Sequence, residues 1–150
     1  IGIPLGALAA VRFIGGRDAT LLLIGTIVVS DSAQYYTGRA LGRHRLAPAI
    51  SPAKTVEGAI GGLVLGSAAM TYGGLALFKG VNPWLLLATS VVVVALGMVG
   101  DLFESLLKRS AGVKDSSTLI PGHGGVLDRI DSWLFAAPVF YVFVMYLQTS

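Results

Sequence analysis

From residue 58 to residue 78 the chain carries no charged side chain for 21 residues, enough to cross the hydrocarbon core of a bilayer as one helix. Residues 85–100 form a second uncharged run and residues 132–150 a third. Few soluble folds accommodate three such runs in 150 residues. Only 13% of the residues are charged, against about 25% in soluble domains. The 20 glycines suit close helix packing in lipid. The expected class is therefore all-α: a polytopic transmembrane helical bundle of about four spans plus a partial first segment. Without cysteine the chain offers no disulfide and no thiolate metal site. A nucleic-acid partner is not expected, because the basic residues sit in loops between apolar spans instead of forming a stripe on a soluble face.

The first apolar segment, residues 1–11, contains Pro4 and is too short to span, and Arg12, Arg17 and Asp18 read as a polar loop after it. Beginning inside apolar sequence at Ile1, residues 1–150 are expected to be the C-terminal catalytic part of one longer membrane domain. The next helix is predicted from about residue 19 to residue 36. Near its end Asp31, Gln34, Tyr35 and Gly38 follow i, i+3, i+4, i+7 spacing and share a face. A carboxylate there must meet protein, water or a cation, since lipid cannot solvate it. It could also be no more than a hydrogen-bonding group between helices.

Arg39, Arg43, His44, Arg45 and Lys54 populate the loop that follows, where they could face lipid headgroups or bind a substrate phosphate. Ser51-Pro52 reads as an N-cap followed by the first helical position, which puts Lys54, Thr55 and Glu57 in the first turns of the next span. Gly58, Gly62 and Gly66 form a doubled GxxxG ridge suited to packing. Residues 79–83 make a turn, with Trp84 as an interfacial anchor.

Charge concentrates between residues 101 and 132, which hold five of the eight acidic residues. Asp101, Glu104, Ser105 and Lys108 share one helical face, and Asp128 and Asp131 are i, i+3 at the start of the last helix. Paired carboxylates from two helices would form an oxygen-rich cage suited to Mg²⁺; a salt-bridge network with Lys108, Arg109, Lys114 and Arg129 is the competing reading. The turn Pro121-Gly122-His123-Gly124-Gly125 allows backbone N–H groups to approach an anion. If the spans alternate, eight basic residues fall on the side of the loops at 37–57 and 101–131 and three on the other. The positive-inside rule then faces the charged end to the cytoplasm of a cell-membrane protein.

Ser105-Leu-Leu-Lys108-Arg109, Lys114-Asp115, Pro121-Gly-His-Gly-Gly125 and Asp128-Arg129-Ile-Asp131 together resemble the signature of phosphatidate cytidylyltransferases, also called CDP-diacylglycerol synthases. Ser30-Asp31 with Tyr35 and Gly38, and Ser51-Pro52-Ala53-Lys54-Thr55 with Glu57-Gly58, are similar to that family too; Ala53 stands where Lys is expected. The resemblance implies transfer of CMP from CTP to phosphatidate, a membrane lipid, with Mg²⁺ required. It places the metal on Asp101, Asp128 and Asp131. It makes Lys108, Arg109, Lys114 and Arg129 candidates for phosphate contact, and Asp31, Lys54, Ser105, His123, Gly124 and Gly125 candidates for the substrate cavity. A second cation and a homodimer stay open. The alternatives are another CTP-dependent membrane lipid transferase or kinase, told apart by its product, and an ion-coupled transporter. The transporter should show an internal repeat, and none is visible.

Overall fold

The structure, a computed structural model, describes residues 2–112 and 127–149; the side chains of residues 127–129 lie outside that description. Five helices run in the order α1 (Gly2–Ile14), α2 (Gly16–Leu41), α3 (Val56–Leu77), α4 (Pro83–Ser110) and α5 (Leu127–Thr149). Between α2 and α3 lies a small hairpin, β1 (Arg45–Ala47) and β2 (Ser51–Thr55). Helices α3, α4 and residues 130–149 of α5 are long and apolar enough to cross a membrane. Helix α2 has the length to cross, but its charged ends lower its hydropathy. The expected helical membrane bundle is what the chain forms.

The boundaries differ from the sequence reading in three places. Arg12, Arg17 and Asp18 are not a loop: α1 continues through Arg12, and α2 restarts at Gly16, whose φ of 75° is the left-handed turn that redirects the chain. Helix α2 extends to Leu41, one turn past its expected end. Ser51-Pro52 does not start α3. Thr55 does, its backbone extended and its hydroxyl accepting from Gly58 N at 3.1 Å, while Ser51 and Pro52 lie in β2. Proline is tolerated there because a two-stranded ribbon has only edge strands. The turn is closed by Ile50 N donating to Ala47 O at 3.1 Å, with Pro48 at the second position, where its fixed φ suits the turn.

Helix α2 packs chiefly on α3, α4 on α5, and α1 on α5. The GxxxG ridge is the α2–α3 seam: a Cβ on Gly66 would stand 2.8 Å from Ser30 Cβ, and one on Gly58 2.7 Å from the Gln34 carbonyl. Val11, Leu23, Met70, Leu86, Val93 and Phe140 are fully buried where the helices meet. Thr71 Oγ1 donates to Ser90 Oγ at 3.0 Å, joining α3 to α4 inside the bundle. Outward stand Ile60, Val64, Tyr72, Val92 and Val142, all exposed, as a lipid-facing surface requires, and Trp84 is 78% exposed at the start of α4.

Candidate active site

Three helices and the hairpin each deliver one charged side chain to the same end of the bundle. Asp31 comes from just past the middle of α2, Asp101 from the last third of α4, Asp131 from the first turns of α5 and Lys54 from β2. Asp31, Asp101 and Asp131 line a cavity of about 360 Å³ with Ile27, Val28, Ser132 and Trp133. Asp31 and Asp101 also border a second cavity of about 560 Å³, lined by Gln34, Tyr35, Arg39, Lys54, Thr55 and Gly58 among others. The larger volume falls within the range of small-molecule sites.

Close backbone approach sets the acids near one another. A Cβ on Gly100 would lie 2.8 Å from the Asp131 carbonyl oxygen, so α4 and α5 nearly touch one residue before Asp101. Asp131 is oriented by its own helix: Ser132 N donates to its Oδ1 at 2.7 Å. Gln34 Nε2 donates to Asp31 Oδ1 at 3.1 Å across one turn of α2. Lys54 Nζ donates to Asp101 Oδ2, an ion pair joining β2 to α4 with the two side chains 21% and 29% exposed. At membrane depth such a pair needs a reason beyond stability, because desolvating both ions offsets much of their attraction.

Other expected site residues stand elsewhere. Lys108 Nζ pairs with Glu104 Oε2 at 3.0 Å within α4; neither lines the two cavities, but Glu104 also shares a side-chain hydrogen bond with Asp131 and so borders the acid cluster from behind. Arg109 Nε donates to the Ile50 carbonyl at 3.3 Å, tying the exposed end of α4 to the hairpin turn. Ser105 is half-buried on α4 and lines neither cavity. Asp128 and Arg129 occupy the first turn of α5, their side chains outside the description. Lys114, His123, Gly124 and Gly125 lie outside the described residues altogether. Tyr35 and Arg39 also border the larger cavity, Arg39, one of the cations that could bind a substrate phosphate, donating from Nη1 to Tyr35 Oη at 3.1 Å. For Tyr35 the face it shares with Asp31 and Gly38 is the sequence signal.

A family model described as the cytidylyltransferase family matches residues 7–147, nearly the whole chain and every helix that shapes these cavities. The chain belongs to the cytidylyltransferase family. It is 47% identical over 133 residues to the phosphatidate cytidylyltransferase of Haemophilus influenzae, covering 85% of this chain and 46% of that protein. With the phosphatidate cytidylyltransferase of Staphylococcus haemolyticus it shares 42% over 117 residues, covering 78% of this chain and 45% of the relative. The chain thus spans about half the length of these relatives. A solved structure described as an intramembrane enzyme for archaeal membrane lipid biosynthesis superposes with a TM-score of 0.63 at 21% identity, covering 91% of this chain and 92% of that one. That likeness extends to the fold of this cytidylyltransferase-family chain, a helical membrane bundle.

Among the described residues, no three acidic or histidine side chains converge tightly enough to hold a metal ion by themselves. The donor chemistry nonetheless suits Mg²⁺. The cavity acids are all carboxylates, and Mg²⁺ characteristically takes one or two of them and fills its shell with water and substrate phosphate.

Proposed function

We propose that the chain forms the catalytic part of a membrane enzyme that transfers CMP from CTP to phosphatidate. In this reaction a phosphate oxygen of the lipid bonds to the α-phosphorus of CTP. The bond from that phosphorus to the β-phosphate bridging oxygen breaks, and pyrophosphate leaves. The observation that carries the reading is the meeting of Asp31, Asp101 and Asp131 from three helices, with Lys54 from the hairpin, in a chain of this family.

The lipid phosphate is already a nucleophile, so no residue has to form a covalent intermediate. The task left to the protein is to hold two anionic substrates together and offset the charge that builds on them. Asp101 and Asp131 would hold Mg²⁺, with Asp128 one turn before Asp131 in α5. When bound, the metal would neutralise phosphate charge and steady the leaving pyrophosphate. Lys54 adds a cation to the lining of the larger cavity beside Asp101, and Arg39 adds another there. Gln34 keeps the Asp31 carboxylate turned by its hydrogen bond. The remaining phosphate contacts, from Lys108, Arg109, Lys114 and Arg129, and from Ser105, His123, Gly124 and Gly125, rest on the motif alone. The active end would face the cytoplasm, where CTP is made, with phosphatidate arriving from the bilayer.

The test is the full-length enzyme in detergent, given CTP, phosphatidate and Mg²⁺, with Asp101→Asn beside it. The wild type is expected to form CDP-diacylglycerol and pyrophosphate, and the variant to lose at least about 10²-fold in rate. Transfer of a phosphoryl group in place of CMP would make the protein a lipid kinase. An Asp101→Asn enzyme of unchanged rate would remove Asp101 from the site.

A further inference from the structure

Glu57 lines neither cavity, yet its carboxylate is occupied on both oxygens. Oε2 accepts from the backbone N–H groups of Arg43 at 3.1 Å and His44 at 3.3 Å, and Oε1 meets His44 Nδ1 at 2.7 Å. Alongside, Val56 N donates to His44 O at 2.9 Å and Arg45 pairs with Thr55 across the hairpin. The segment leaving α2 is thereby fastened to the first turn of α3, and the residue next to that fastening is Lys54.

A lysine has a flexible four-carbon stem. Its ammonium is fixed over Asp101 only as well as the strand that carries it. The far end of the hairpin is held by Arg109 on the Ile50 carbonyl, a contact between exposed groups. Both anchors are charge-assisted, but the base is held by three contacts to one carboxylate and the tip by a single one. Glu57 is therefore the firmer of the two anchors.

We infer that Glu57 is a positioning residue: by clamping residues 43–44 to the start of α3, it holds β2 where Lys54 reaches Asp101. Its kinetic consequence rests on the transfer reaction proposed above; its structural consequence does not.

The experiment uses the full-length enzyme in detergent with Glu57→Ala, Lys54→Ala and the double variant. Trypsin cleavage after Arg43 and Arg45 is timed against cleavage after Lys79 at the opposite end of the bundle. Glu57→Ala is expected to speed the first at least tenfold and leave the second unchanged. In the assay with CTP and phosphatidate, Glu57→Ala is expected to lower kcat/KM at least tenfold on its own. In the Lys54→Ala background it should change the rate less than twofold, because the lysine it positions is gone. Unchanged cleavage at Arg43 and Arg45 overturns the clamp. Losses that multiply in the double variant overturn its action through Lys54. A wild type that makes no CDP-diacylglycerol overturns the transfer reading, while the cleavage rates still decide the clamp. If Glu57→Ala does not fold, Glu57→Gln carries the same measurements: it keeps one acceptor oxygen for the backbone N–H groups, and intermediate cleavage and activity are expected.

Discussion

Lys54 and Asp101 are 47 residues apart and meet at the larger cavity, while Asp101 and Asp31 border the smaller one as well. Removing the lysine leaves a half-buried carboxylate facing two others, a costly arrangement in a low-dielectric bundle. Lys54→Ala is expected to slow CMP transfer at least about 10²-fold, the loss typical of one preorganised electrostatic contact to a transition state. Lys54→Arg should not restore it, because a planar guanidinium fork cannot occupy the place of a compact ammonium. Steady-state rates of the two variants decide the matter, and recovery by arginine would mean that charge alone is needed.

At the level of the helices, the spacing of α4 and α5 matters most, since it brings Asp101 to Asp131. Two glycines of α4 separate packing from site geometry. A Cβ on Gly97 would meet the Ile27 Cδ1 methyl at 2.8 Å, the movable end of a side chain. A Cβ on Gly100 would meet the Asp131 carbonyl at 2.8 Å and the Phe135 ring at 3.0 Å, and neither can yield without shifting α5. Gly100→Ala is expected to destabilise by about 1–3 kcal/mol, as overpacking does, and to lower activity further by moving Asp131. Gly97→Ala should cost less than about 1 kcal/mol. Thermal unfolding in detergent, run beside the transferase assay, checks both; equal effects would remove the α4–α5 approach as the cause.

For the whole molecule, the hairpin, the end of α2 and the acids share one end of the bundle, while Lys79 lies in the turn at the other. Among the described residues, Arg39, Arg43, Arg45, Lys54, Lys108 and Arg109 gather in the hairpin and the helix ends beside it, so the proposed orientation follows from the retention of cationic segments in the cytoplasm. Because the chain has no cysteine of its own, Ala49→Cys in the exposed hairpin turn and Lys79→Cys can each report one side. An impermeant maleimide added to inside-out vesicles is expected to label the first and not the second. The opposite pattern would place the acids outside the cell.

Composition and uncharged run lengths were enough to determine a helical membrane bundle, because a bilayer admits few structures and demands about 20 apolar residues per helix. The spacing of Asp31 with Gln34 and Tyr35, and of Gly58 with Gly62 and Gly66, made those helix faces legible as well, since 3.6-residue periodicity is a local property. Local sequence misled at Ser51-Pro52: the pair has helix-start chemistry, but the turn at Pro48, the backbone ladder and the Glu57 carboxylate together favour a strand. Which charges meet was not readable either. Lys54 pairs with Asp101, Lys108 turns to Glu104 and Arg109 to the hairpin, choices made by how three helices and a ribbon pack. Periodicity says which residues share a face. Only tertiary packing says what that face meets, because the partner comes from a distant part of the chain.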